Sequence, residues 1–129
     1  MTGNNVVVDT NVFIDLMKGE NTIAQKLKSF EEVYLSPIVL AELYFGAYRS
    51  ANPEKHLNKV SIVIRDSKLL AIDEITSRYF VQIKLELFAK GKPIPENDIW
   101  IAASAFQYNT SVYTIDKHFN EIEGINLFS

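Results

Sequence analysis

Cysteine is missing from the sequence. Its absence excludes disulfides and metal sites built on thiolates, and it agrees with a reducing, cytoplasmic setting. Histidine is scarce, with only His56 and His118. No apolar run is long enough to cross a bilayer, so no membrane partner is expected. Met1–Asn5 shows no basic segment followed by an apolar one, and no secretory signal is expected there. Internal repeats, low-complexity tracts and linkers are also lacking. Positive charge is not in excess: 13 Lys and Arg stand against 16 Asp and Glu, for a formal net charge of −3. Taken alone, that balance argues against a nucleic-acid partner. Were four of the acids gathered around a metal ion, however, the remaining surface would be slightly basic, and the bound cation would offset the site itself.

Against these absences stands a hydrophobic fraction of 47%, 12% of the chain being aromatic. That is enough for a buried core, and one domain over residues 1–129 is expected. The strongest local signal is Val6-Val7-Val8-Asp9-Thr10-Asn11. Three β-branched residues read as a strand buried on both faces, as in a central parallel strand. Asp9 follows at its carboxyl end, where open parallel α/β sheets keep their sites.

Strands and helices then alternate. Asn11 can cap a helix to about Lys18, ended by Gly19, and Asn21 or Thr22 starts a second. Glu32–Leu35 is the second strand. Ser36-Pro37 starts a helix to Arg49, because Ser can cap and Pro suits the first helical position. That helix is apolar nearly all round, so more than one side should be covered. Asn52-Pro53 opens a helix to about Asp66. Leu69–Ile72 reads as strand three, Glu74–Lys90 as a long helix, and Gly91–Pro95 as a rigid loop. A helix from Glu96 or Asn97 to Tyr108 stops at Asn109. Its run Ala102-Ala103-Ser104-Ala105 suits close packing on a sheet. Ser111–Ile115 is strand four, and Asn126–Phe128 a short last one. The fold expected is α/β, with a mostly parallel sheet of four to five strands covered on both faces.

Four acids merit separate weighing. Asp9 can simply cap the next helix. Glu42, amid apolar neighbours, needs a partner, and a lysine elsewhere would suffice. Asp98 sits in a helical first turn, where the dipole favours a carboxylate. Asp116 follows a strand and can be a turn residue. Together they read differently: two lie at strand ends and two on flanking helices. Carboxylates converging without Lys or Arg call for divalent cations, and oxygen ligands select hard ions such as Mg²⁺ or Mn²⁺. A cation so held can lower the pKa of a bound water.

Four pieces, Val7-Val8-Asp9-Thr10-Asn11 to Asp15, Ser36-Pro37 to Glu42 and Gly46, Pro95-Glu96-Asn97-Asp98 to Ala103, and Tyr113-Thr114-Ile115-Asp116 to Phe119, resemble in order the PIN domain. More narrowly, they resemble the VapC toxins of bacterial toxin–antitoxin pairs. The resemblance spans nearly the whole chain and implies a three-layer α/β/α fold and a Mg²⁺- or Mn²⁺-dependent endoribonuclease. Its metal ligands would be Asp9, Glu42, Asp98 and Asp116, with Asp116 the position most variable in the family. Thr10, Asn11 and Thr114 would orient the carboxylates; Glu96, two residues before Asp98, reads as a peripheral acid, either standing behind the ligands or capping its helix. Asp15 is not expected to hold metal. His56 reads as a surface residue. His118 falls in a piece of the pattern concerned mostly with packing.

Candidate phosphate contacts are Arg49, Lys92 and Lys117, with Lys84, Lys90 and His118 besides. An RNA base could stack on Tyr48 or Trp100, although Trp100 reads more naturally as core. The apolar helix at Ile38–Tyr48 and the resemblance together imply a homodimer and a VapB-like antitoxin segment near the site. Two rival readings are a housekeeping RNA-processing PIN nuclease and a non-catalytic corepressor. A phosphotransfer receiver lacks its early acid pair here, and a haloacid-dehalogenase-type phosphatase would need an acid where Asn11 stands.

Overall fold

The computed structural model describes residues 4–129. The reading of Met1–Gly3 as free of a signal lies outside them. The three valines of β1 (Asn5–Val8) are fully buried, as their β-branched run requires. The chain continues through α1 (Thr10–Met17), α2 (Asn21–Lys28), β2 (Glu32–Leu35), α3 (Pro37–Arg49) and α4 (Pro53–Asp66). Then come β3 (Lys68–Leu69), α5 (Glu74–Ala89), α6 (Glu96–Gln107) and β4 (Ser111–Tyr113). A 3-10 turn (Lys117–Glu121) leads to β5 (Leu127–Phe128).

All four strand pairings are parallel, and the order is β3-β2-β1-β4-β5. Val7 lies between Tyr34 of β2 and Val112 of β4. From β1 the chain steps outward to β2 and β3, then crosses back to β4 and β5 on the other side. Right-handed crossovers in opposite directions put their helices on opposite faces. In agreement, α1 packs on α2, α3 and α4, whereas α5 packs on α6, which lies against β1 and β4. Ala102, Ala103, Ser104 and Ala105 are buried, so α6 approaches the sheet closely. The three-layer α/β/α arrangement expected from the sequence is present. Its reversal of strand order falls between β1 and β4, and their carboxyl ends therefore flank a crevice.

Three local expectations need correction. The cap of α1 is Asp9, whose side chain accepts from the Thr10 amide, while Asn11 is already helical and exposed. Strand three begins and ends earlier than Leu69–Ile72. It can pair only as far as β2 extends, and β2 stops where Ser36 caps α3; the last contact is the Leu70 amide on the Leu35 carbonyl (2.9 Å). Strand four stops at Tyr113 because its neighbour β1 ends at Val8. Beyond it the Thr114 amide still reaches the Phe128 carbonyl of β5 (3.4 Å), and Ile115 then carries Asp116 out over the sheet end. The helix stops were well marked: Gly19 and Asn109 both adopt positive φ, 95° and 53°.

Candidate metal centre

Asp9 emerges from β1 with its amide donating to the Tyr113 carbonyl of β4 (2.9 Å). One carboxylate oxygen accepts from the Thr10 amide (2.8 Å), and the other accepts from the Thr114 hydroxyl (2.8 Å). The Thr114 oxygen in turn accepts from the Asp116 amide (2.9 Å). One hydroxyl thus fixes both the carboxylate at the end of β1 and the loop that carries the fourth acid. Thr10 does the corresponding work for α3: its hydroxyl donates to Glu42 Oε1 (2.7 Å). Glu42 is half-buried and meets this hydroxyl rather than the lysine that was its alternative partner.

Asp98, in the first turn of α6, is buried, its side chain only 12% exposed. Its Oδ2 lies 3.0 Å from Nδ1 of His118, which is also 3.0 Å from Asp116 Oδ1. Asp116 caps the 3-10 turn by accepting from the His118 amide (2.9 Å). Ligand atoms of Asp98, Asp116 and His118 fall within 4.8 Å of one another. Cap and cluster are therefore not alternatives for Asp116, whose carboxylate does both, whereas Asp9 caps α1 and stands near enough to feel the charges of Asp116 and Glu42 without belonging to that group.

The electrostatics record the crowding. Burial holds the Asp9 carboxyl above its usual range, with the charges of Asp116 and Glu42 adding and the Thr114 and Thr10 hydrogen bonds opposing. Asp98 is pushed up to about 6, first by burial and then by the charges of Asp9 and Asp116, against the His118 hydrogen bond. His118 is raised mainly by its hydrogen bond to Asp98. Among the described residues, no Lys or Arg forms an ion pair with any of the four acids. Oxygen donors held by hydroxyls and amides, with no Lys or Arg to offset their negative charge, fit a hard divalent cation.

The other sequence candidates scatter. Asn11 is exposed beside a cleft of about 520 Å³ between α1 and α3, lined also by Thr10, Ile38, Glu42 and Phe45. None of the described hydrogen bonds joins its side chain to an acid. Glu96 points to Lys84, which forms an exposed ion pair with it, so both are tied to each other rather than to the acids. Lys90 donates to the Glu121 carbonyl. Arg49 lies over the Phe45 ring, 5.2 Å from its centroid, and Lys92 and Lys117 are exposed, Lys117 directly after Asp116. Trp100 stacks on Phe80 with centroids 4.1 Å apart, whereas Tyr48 is exposed. His118 is the residue the sequence reading placed wrongly. The signal was present in Asp116-Lys117-His118: a histidine two residues past a strand-end acid shares its turn.

A family model for the PIN domain matches residues 6–125. Ribonuclease VapC2 of Haemophilus influenzae is 33% identical over 101 residues, covering 77% of this chain and 76% of that one. Ribonuclease VapC5 of Mycobacterium tuberculosis is 27% identical over 120 residues, covering 92% and 87%. Among solved structures, a DNA-bound VapBC complex from Salmonella typhimurium superposes with a TM-score of 0.90 at 30% identity, covering 96% of each chain. A VapBC2 complex from Rickettsia felis, bound to a DNA fragment from its promoter, gives 0.90 at 25% identity, with 96% and 97% covered.

Proposed function

This chain belongs to the PIN-domain family, among its VapC ribonucleases, and from that premise we propose that it is the toxin of a toxin–antitoxin pair: a metal-dependent endoribonuclease that hydrolyses RNA phosphodiester bonds. The observation that carries the reading is the set of acids gathered around the carboxyl ends of β1 and β4, with hydroxyl and amide donors and, among the described residues, no Lys or Arg paired with them; His118 is their one basic neighbour. Asp9, Glu42, Asp98 and Asp116 are the proposed ligands, and Mg²⁺ or Mn²⁺ the proposed ion.

What a bound cation supplies is Lewis acidity, which eases ionisation of water and offsets charge on phosphoryl oxygens. The chain's own part is orientation. Thr114 and the Thr10 amide fix the two oxygens of Asp9, and the Thr10 hydroxyl fixes Glu42. Arg49, Lys92 and Lys117 remain the proposed phosphate contacts. The setting proposed is the cytoplasm; among the described residues, no helix is long and apolar enough to cross a membrane.

A VapB-like antitoxin is the proposed partner, within a complex built on a toxin homodimer. The exposed aromatic rings of α3, Phe45 at 63% and Tyr48 at 67%, support that reading, because a packed helix face rarely leaves two such rings in water. The deciding experiment incubates antitoxin-free protein with total RNA, with Mg²⁺, Mn²⁺ or EDTA, beside Asp9→Asn. Discrete fragments that need both the cation and Asp9 are expected, with the variant slowed by a factor on the order of 100 or more. A folded variant that cuts at the parental rate would refute the assignment. No cleavage by the parent under any condition would favour the corepressor reading.

A further inference from the structure

His118 has no part in the carboxylate centre proposed above, yet its ring sits inside that centre. Nδ1 is 3.0 Å from Asp98 Oδ2 and 3.0 Å from Asp116 Oδ1. Those spacings are informative. In an octahedral site with bonds of about 2.1 Å, neighbouring ligand atoms stand about 3.0 Å apart. Nδ1 therefore already stands at the separation of an adjacent ligand from each of the two carboxylate oxygens, and ligand atoms of all three residues fall within 4.8 Å of one another. The backbone fixes the placement: the His118 amide is bound to the same Asp116 oxygen (2.9 Å), and Phe119, wholly buried, anchors the next position of the turn. The ring itself is half exposed, so it can turn on its own bond without disturbing the core.

We propose that His118 is a ligand of the metal centre, binding through Nδ1 the same cation that Asp98 and Asp116 hold. The inference rests on the metal-nuclease reading and adds a nitrogen donor to what would be an all-oxygen site. A nitrogen donor changes the choice of ion. Imidazole favours later first-row metals, and Mg²⁺ gains little from it. The centre should accordingly prefer Mn²⁺ and other transition-metal dications to Mg²⁺, with His118 as the source of the preference.

Having two histidines in the whole chain makes the test clean. Tag-free protein loaded with Mn²⁺ is examined by electron spin echo spectroscopy, which detects nitrogen bound directly to the ion. The parent and His56→Gln should show the imidazole coupling, and His118→Gln should lose it. Titration should show Mn²⁺ affinity falling about tenfold or more in His118→Gln, with Mg²⁺ affinity changed less. Thermal melts of each variant confirm that it is folded. Mn²⁺ bound by the parent without nitrogen coupling would overturn the inference and leave the nuclease reading standing. A parent that binds no divalent cation at all would overturn both.

Discussion

A buried carboxylate among other carboxylates weakens the fold whenever no cation is bound. Asp98 is the clearest case, with a titration near 6 in the fold against an ordinary 3.8. Its raised value means that the folded chain holds the proton more tightly than the unfolded one, so stability falls as pH rises between those two values. Asp98→Asn removes that loss. In EDTA at neutral pH the variant should be more stable by about 1–2 kcal/mol, discounted because solvent reaches the open side of the site. The advantage should be absent well below pH 3.8, grow between 3.8 and about 6 and stay constant above, as thermal melts across pH will show. Thr114→Val tests the hydroxyl that serves both Asp9 and the Asp116 loop: cleavage should fall roughly 10–100-fold, the usual cost of losing a group that orients a ligand. The proximity of Asp9, Asp98 and Asp116 could be expected from the sequence because each sits at the end of a strongly marked element, while Glu42 stood out as the one acid in the apolar helix α3. The placement of His118 and Glu96 could not, since spacing does not say which way a side chain turns in a 3-10 turn or on a helical first turn.

At the scale of elements, α3 shows how local chemistry positions the centre. Ser36 is fully buried between β2 and α3, and its hydroxyl oxygen accepts from the Ile38 amide (3.1 Å). Ser36→Ala leaves that donor without its cap and should cost about 1 kcal/mol, a drop of a few degrees in Tm. Pro37 adds a first helical position that needs no donor. These signals made α3 and its start legible. The short strands were not, because a strand's length is set by its neighbours: β3 and β4 are cut back by the ends of β2 and β1, which no run of apolar residues reports. The near-continuous apolarity of α3 was visible, but its cover within this chain is partial. Val39, Leu43 and Ala47 face the core, while Phe45 and Tyr48 stay in water.

For the molecule as a whole, the proposed centre draws its residues from the end of β1, α3, α6 and the loop after β4, and so would tie together both helical layers. A cation bound there stabilises only the folded state, by about 2.7 kcal/mol at a concentration 100 times its Kd. Mn²⁺ should therefore raise the Tm of the parent by several degrees and that of Asp9→Asn by much less, as calorimetry can establish. The layout also sets a schedule. β1 and Asp9 are synthesised first, whereas β4, which flanks β1 and accepts the Asp9 amide, occupies residues 111–113, and Asp116 comes later still. A nascent chain still held by the ribosome short of that point has its first strand open on one side and its first acid without the Thr114 hydroxyl. Chains that stall or are truncated before residue 116 never complete the centre. The proposed centre is thus complete only when translation has passed the last piece of the sheet's middle, and a chain truncated before Asp116 should bind the cation more weakly than the full chain, as calorimetry can check.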